Sequence, residues 1–294
     1  MVGMIKKQLP ESSPGRYLKG AALGRLGFCT SWAVDAHGHG KEWLEVVKID
    51  LHLKKLPKPF HGKRIIHISD LHCGRTVSGK YLSHCVDRIN KLNADMVVLT
   101  GDYVTYDYYD TFKKKIVGLM GGIKSRYGIY ASLGNHDYGI GKNLKTRREK
   151  ALMKMIEAMK DNGIKVLRNE STLIEIDGKP LWFVGLGDLW ADDFEPDKAF
   201  RAVETDGTAI ALSHNPQTFE HLQKFSAGAI MSGHTHGMRI GWRAANKKLI
   251  RNRHTFYAGM YKIAGKTLYV NRGLGRVGKM MFNTRPEITV YNLC

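Results

Sequence analysis

Three short apolar runs, Arg64–Ser69, Met96–Leu99 and Ile129–Leu133, recur about 30 residues apart, and each stops at a polar cluster. Between the first two, Leu82, Cys85, Val86, Ile89 and Leu92 fall at helical spacing over Lys80–Asn93, and Thr111–Met120 reads as a second helix. A strand, a helix and a strand in repeated succession form βαβ units, whose strands lie parallel. This series restricts the fold more than any other feature of the chain. Before it, Val47, Ile49, Leu51 and Leu53 alternate with Lys48, Asp50 and His52, a strand that Pro57 and Pro59 end. After it comes an amphipathic helix over Thr146–Asn162, closed by Gly163.

The second half has a different grammar. Thr172–Ile176 and Leu181–Val184 flank Asp177-Gly178, a hairpin signal. Thr208–Leu212 stops at Ser213-His214, and Ala229–Met231 stops at Gly233-His234. Further short strands run out to Ile288–Tyr291. The expectation is one α/β domain, 45–294, built as two facing mixed sheets with helices outside, a four-layer α-β-β-α sandwich.

Composition narrows the class. At 43% apolar and 25% charged residues the 294-residue chain is not disordered. The longest run without Asp, Glu, Lys or Arg is Phe225–Met238, too short and too polar to span a bilayer. Cys29, Cys73, Cys85 and Cys294 show no CxxC spacing, which excludes a zinc ribbon or disulfide framework and suits reduced thiols in the cytoplasm.

The net charge is +19, and between Met238 and Pro286 stand 12 Lys/Arg with no Asp or Glu. Such a segment attracts phosphate esters, anionic lipid or nucleic acid, or is simply a solvated basic face. Residues 1–44 carry Lys6, Lys7, Arg16 and Lys19 ahead of an apolar stretch interrupted by Arg25. That segment suits an anionic membrane surface, though a degenerate signal or a packed extension fits the same residues.

Every strand end delivers metal-capable side chains: Asp70-Leu71-His72, Gly101-Asp102, Gly134-Asn135-His136-Asp137, Ser213-His214 and Gly233-His234-Thr235-His236. Carboxyl ends of strands form the ligand crevice of α/β sheets. Imidazole, carboxylate and carboxamide without thiolate suit Mn, Fe, Zn or Ni better than the all-oxygen sites of Mg or Ca. In order and spacing these motifs resemble the calcineurin-like metallophosphoesterase superfamily. Ile68-Ser69-Asp70-Leu71-His72, Ser213-His214-Asn215-Pro216, Gly233-His234-Thr235-His236-Gly237 and Tyr269-Val270-Asn271-Arg272-Gly273 look closest to its bacterial, membrane-associated phosphodiesterases.

The resemblance implies two divalent metal ions, manganese first, with Fe, Zn or Nickel as alternatives. Asp70, His72 and His236 would hold one, Asn135, His214 and His234 the other, with Asp102 bridging. Two divalent ions against two aspartates and a bridging hydroxide leave about one net positive charge to meet a phosphate, so a neutral Asn135 keeps the site electrophilic. His136 is expected to protonate the leaving group, with Asp137 either orienting its ring or capping the loop. Arg75, Asn215 and Arg272 adjoin the motifs and either contact substrate phosphate or stabilise loops. The implied activity is phosphodiester or pyrophosphate hydrolysis by that hydroxide on a membrane-derived, lipid-linked substrate such as a UDP-diacylglucosamine, at the cytoplasmic membrane face. A nuclease or cyclic-nucleotide phosphodiesterase would use the same metals, with nucleic acid less favoured as a partner. A non-catalytic module has no physical need for His136.

Overall fold

The computed structural model describes residues 43–105, 107, 111–139, 145–204, 207–237, 256–275 and 284–294. Nearly all of the basic 1–44 segment, and much of the 238–286 stretch, lie outside the described residues.

Among the described residues twelve strands form two mixed six-stranded sheets. The first contains β1 (Glu45–Leu51), β2 (Arg64–Ile68), β3 (Met96–Thr100), β4 (Ile129–Ser132), β5 (Ile164–Val166) and β12 (Glu287–Leu293), ordered β1-β12-β2-β3-β4-β5. From β2 to β5 every pairing is parallel, as the βαβ series requires. Helices α1 (Gly79–Asn90), α2 (Thr111–Met120) and α3 (Lys145–Asp161) make the crossovers. Ser78 caps α1 by accepting from the Tyr81 N–H.

The second sheet contains β6 (Glu170–Ile176), β7 (Lys179–Gly185), β8 (Ala209–Leu212), β9 (Ala229–Ser232), β10 (Gly259–Ile263) and β11 (Lys266–Val270), ordered β10-β11-β9-β8-β7-β6. Asp177 and Gly178, at φ 50° and 69°, join β6 to β7 in the doubly left-handed turn that suits the twist of paired strands.

Alternation of side chains sorts the core into three layers. Ile66, Ile68, Val97 and Leu99 face outward onto Leu82, Ile89, Ile116 and Leu152 of the helices. Ile65, Met96 and Val98 face inward and meet Phe183, Ile210 and Met231 of the second sheet. Val184, Ala211 and Ile230 cover that sheet's outer face together with Phe200, Phe219 and Leu222. The order of layers is the expected α-β-β-α sandwich. On the outer side of the second sheet, however, the helical cover among the described residues is only the single turn α4 (Pro196–Ala199) and two 3₁₀ turns.

Between the sheets His67 is fully buried, bonded to the Tyr291 hydroxyl at 3.0 Å and to Thr100 Oγ1 at 2.9 Å. Burial pushes its pKa down from 6.5 to about 3, against the pull of Asp70. The unfolded chain protonates this ring below pH 6.5 while the folded chain does not, so its contribution is complete above 6.5 and lost as the pH falls toward 3. That costs about 1.4 kcal/mol per pH unit. In urea unfolding at pH 7.5 and 5.0 in chelator, wild type should lose more stability on acidification than His67→Gln, by about 2 kcal/mol. Equal losses in the two proteins would refute this source of acid lability.

Candidate metal centre

Five strands end at one crevice. β2, β3 and β4 deliver Asp70, His72, Asp102, Asn135 and His136 from the first sheet; β8 and β9 deliver His214, His234 and His236 from the second. The chain turns sharply as it leaves each strand. Asp70, His72, Asp102, His234 and His236 all hold positive φ, between 46° and 71°, a conformation that costs a non-glycine residue energy. Cross-loop hydrogen bonds hold it in place: Asp70 N–H to Gly101 O and His72 N–H to Asp102 O, both 2.9 Å, and Gly233 N–H to His214 O at 3.0 Å. Gly233 is required by crowding, since a Cβ there would lie 1.9 Å from Ser69 Oγ and 2.3 Å from Asp70 Oδ2. A Cβ at Gly134 would likewise meet Asp102 Oδ1 at 2.3 Å.

The side chains converge in two groups. In the first, His72 Nε2 and His236 Nε2 are 3.0 Å apart, and Asp70 Oδ1 is 3.2 Å from the latter and 3.7 Å from the former. In the second, His234 Nδ1 lies 3.1 Å from Asn135 Oδ1 and 3.2 Å from His214 Nε2. Asp102 Oδ2 stands between the groups, 3.6 Å from His72 Nε2 and 3.2 Å from His214 Nε2. Asp70, His72, Asp102 and His214 are buried. Imidazole nitrogens and carboxylates packed this closely have too few protons to bond one another fully, and a divalent cation is the partner such a donor set fits. The His214 Nδ1–H donates to Thr100 O at 2.6 Å, which aims Nε2 at the crevice.

The titrations follow the same geometry. Burial would raise Asp102, yet His214 and His72 hold it below the usual carboxylate range. Burial pushes His236 down to about 4 despite Asp70, leaving a neutral ring able to ligate. For His214 burial is outweighed by Asp102, Asp70 and Asp188, and its pKa is raised. A proton held there leaves when metal binds, so affinity rises with pH.

His136 sits at the mouth. Its Nε2 is 4.0 Å from Asp102 Oδ2, its ring meets that of His72 edge-on at 5.0 Å, and its Nδ1 lies 2.8 Å from Thr105 O. The expectation that Asp137 orients this ring is not met. The Asp137 carboxylate accepts the backbone N–H groups of Asp102, Tyr103 and Gly134, each at 2.9 Å, and so ties the β3 and β4 loops together. The Thr105 carbonyl orients the imidazole instead.

Of the two roles open to Arg272, the described contacts are those of the structural one. Its Nε donates to Glu287 and its Nη2 donates to Glu45 at 2.8 Å, which gives it a structural ion-pair role. Asn215 Oδ1 caps a 3₁₀ turn through the Gln217 N–H, while its Nδ2 is buried without a hydrogen-bond partner among the described residues. Arg75 is exposed, three residues beyond His72. Cys73 is buried, and its backbone bridges to Val104.

One carboxylate escaped the sequence reading. Asp188 follows β7 as the other motif residues follow their strands, and it is fully buried with Oδ2 unpartnered among the described residues. Burial raises its pKa to about 6, with His214 and Asp102 among the charges acting on it. The signal was Gly185-Leu186-Gly187-Asp188 at a strand end.

Two candidate ligand groups that share a carboxylate at a strand-end crevice fit a two-metal hydrolase. The calcineurin-like phosphoesterase family model matches residues 63–238, and the chain belongs to that family. Members hold two divalent metals, and the protein is a metal-dependent hydrolase of phosphoric esters. The UDP-2,3-diacylglucosamine pyrophosphatase LpxG of Chlamydia trachomatis serovar D is 27% identical, over 83% of this chain and 88% of its own. The phosphodiesterase YaeI of Escherichia coli strain K12 is 28% identical, over 85% and 88%. The uncharacterized metallophosphoesterase YkuE of Bacillus subtilis strain 168 is 26% identical, over 100% and 99%.

Proposed function

We propose that this chain cleaves a phosphodiester or pyrophosphate bond in a lipid-linked substrate, using manganese by preference, at an anionic membrane face on the cytoplasmic side. The observation that carries the chemistry is Asp102 Oδ2, set between two convergent ligand groups with His136 Nε2 beside it. Asp70, His72 and His236 would hold one metal and Asn135, His214 and His234 the other, with Asp102 within reach of both. The chemistry such ions would supply is activation of water and charge stabilisation of a phosphoryl group. The chain's own residues do the rest. His136 carries the transferable proton on Nε2, because Thr105 O accepts the Nδ1–H. Arg75 supplies a cation for phosphate and Asn215 Nδ2 a donor. The name of the LpxG relative supports a lipid-linked pyrophosphate, and the +19 charge supports an anionic surface. Among the described residues no helix is long and apolar enough to cross a membrane.

The test is exhaustive chelation followed by Mn, Fe, Zn or Ni, read on an aryl phosphodiester and then on lipid pyrophosphates, cyclic nucleotides and oligonucleotides. Chelation should abolish turnover, Mn should restore it best, and the lipid pyrophosphate should give the highest kcat/KM. Turnover that survives chelation would sink the metal reading, and preference for oligonucleotides would make the protein a nuclease.

A further inference from the structure

Asp188 lies within electrostatic reach of His214 and Asp102, yet among the described residues no candidate ligand group includes it. Its buried carboxylate works through one oxygen. Oδ1 accepts the Trp190 N–H at 2.8 Å and the Ala191 N–H at 3.0 Å, while Oδ2 has no hydrogen-bond partner among the described residues. An aspartate that accepts N–H groups two and three residues on fixes the backbone from which the next side chains project. The side chain aimed in this way is the indole of Trp190.

That indole packs on a proposed ligand. Its ring stands edge-on to His234, with centroids 4.2 Å apart at 89°. His234 turns Nδ1 to its fellow ligands, 3.1 Å from Asn135 Oδ1 and 3.2 Å from His214 Nε2. The χ2 torsion of a histidine is broad and has no sharp well, so neighbours must set where the Nδ1 lone pair points. An indole packed against the imidazole restricts that rotation. The loop behind it is anchored in turn. Asn169 Oδ1 accepts the Gly187 N–H at 2.8 Å and the Glu195 N–H at 3.1 Å, closing the loop at both ends. The Asp193 N–H donates to Asp188 O at 3.1 Å, and its carboxylate accepts from Arg168 Nε at 2.7 Å. A Cβ on Gly187 would lie 2.1 Å from Asp193 O, so the loop closes on itself with no spare room.

We propose that Asp188 is a positioning residue for the ligand group of Asn135, His214 and His234. It holds Trp190 against His234, and Trp190 sets the angle at which His234 Nδ1 presents its lone pair to a divalent cation. This rests on the two-metal reading and deepens it: the hold on one ion depends on a loop that supplies no ligand. Asp188 acts through Trp190 and not through its charge, because Oδ1 alone makes the turn. Partners that orient a ligating histidine typically change metal affinity by about 10- to 100-fold when removed.

The experiment titrates the full, chelator-stripped chain with Mn²⁺ and reads free Mn²⁺ by electron paramagnetic resonance. Wild type is compared with Asp188→Ala, Asp188→Asn, Trp190→Ala, Trp190→Phe and the double alanine variant. Asp188→Ala and Trp190→Ala should each weaken one Mn²⁺ by about 10- to 100-fold and leave the other near its wild-type affinity. The double variant should be no weaker than Trp190→Ala, because both changes cut the same chain of contacts. Asp188→Asn keeps the oxygen that accepts both N–H groups and should bind as wild type does, and Trp190→Phe should recover part of the loss. Unchanged affinity in Trp190→Ala overturns the proposal. So do additive losses in the double variant, or an Asp188→Asn as weak as Asp188→Ala, since charge and not the turn would then matter. If Asp188→Ala fails to fold, Trp190→Ala against Trp190→Phe and Asp188→Asn decides alone. Wild type that binds fewer than two Mn²⁺ defeats the two-metal reading, not the positioning. Imidazole resonances of the metal-free chain then decide, with His234 assigned by its absence in His234→Gln. Its signal should move in Trp190→Ala and stay in Asp188→Asn, and a signal that stays in both ends the proposal.

Discussion

Asp102→Ala should lose bound metal and phosphodiesterase activity together. Asp102 Oδ2 lies near both proposed ligand groups, 3.6 Å from His72 Nε2 and 3.2 Å from His214 Nε2, so its removal would weaken the hold on both ions. Metal charge stabilisation is worth several kcal/mol in the transition state, and at about 1.4 kcal/mol per tenfold the rate should drop at least about 10³-fold. Alanine also removes Oδ1, which accepts the His136 backbone N–H at 2.9 Å, so part of the loss could come from a disturbed loop. Asp102→Asn separates the two. Its carbonyl oxygen still accepts that N–H, while the negative charge is gone. Asn should therefore melt close to wild type and still be metal-poor and slow. Metal per chain, the melting curve and kcat are the three readouts. Two tightly held metals in either variant would show that Asp102 bridges nothing.

The parts legible in the sequence were those that local periodicity and strand punctuation control. Thr111–Met120 is helical over the expected span, and β2, β3 and β4 each stop where a polar cluster begins. The proposed ligands were visible for the same reason: a strand end is a local event, and its next two residues must face the crevice. Partners that arrive from far along the chain were not visible. β12 inserts between β1 and β2, and nothing within Glu287–Leu293 announces that it pairs parallel with residues more than 200 positions away. Arg272 stayed open between a phosphate contact and a loop role through the same gap, because Glu45 reaches it from 227 residues off. Asp137 looked like a partner for the adjacent His136, yet its carboxylate is taken by N–H groups of the neighbouring strand's loop, 34 and 35 residues back. Asp188 was hidden because β7 had been read only as half of a hairpin. The strain at Asp70, His72 and His234 was equally illegible, since left-handed backbone is usually signalled by glycine or asparagine.

His136→Ala should keep its metals and fail selectively. His72, Asp102 and His136 are close enough to form a third possible ligand group, so whether His136 binds metal or substrate is a real question for this fold. Geometry favours the substrate. Its Nε2 stands 4.0 Å from Asp102 Oδ2, farther than His214 or His72, and its ring is turned edge-on to His72 instead of stacking with it as His236 does. With Nδ1–H donated to Thr105 O, a proton gained on Nε2 has one useful destination, the oxygen that departs. Loss of a general acid typically costs about 10²–10⁴ in rate. That cost scales with how badly the leaving group needs a proton. A p-nitrophenolate departs without one and should be slowed least, whereas an alkoxide should bear most of the loss. The measurement is kcat on two diesters of widely different leaving-group pKa, with metal counted per chain, for wild type and His136→Ala. Asp137→Asn, which disturbs the loops without touching the ring, should slow both esters by the same factor. If His136→Ala strips the metals it is a ligand, and if it slows both esters equally it only positions; either result removes the leaving-group acid from the mechanism.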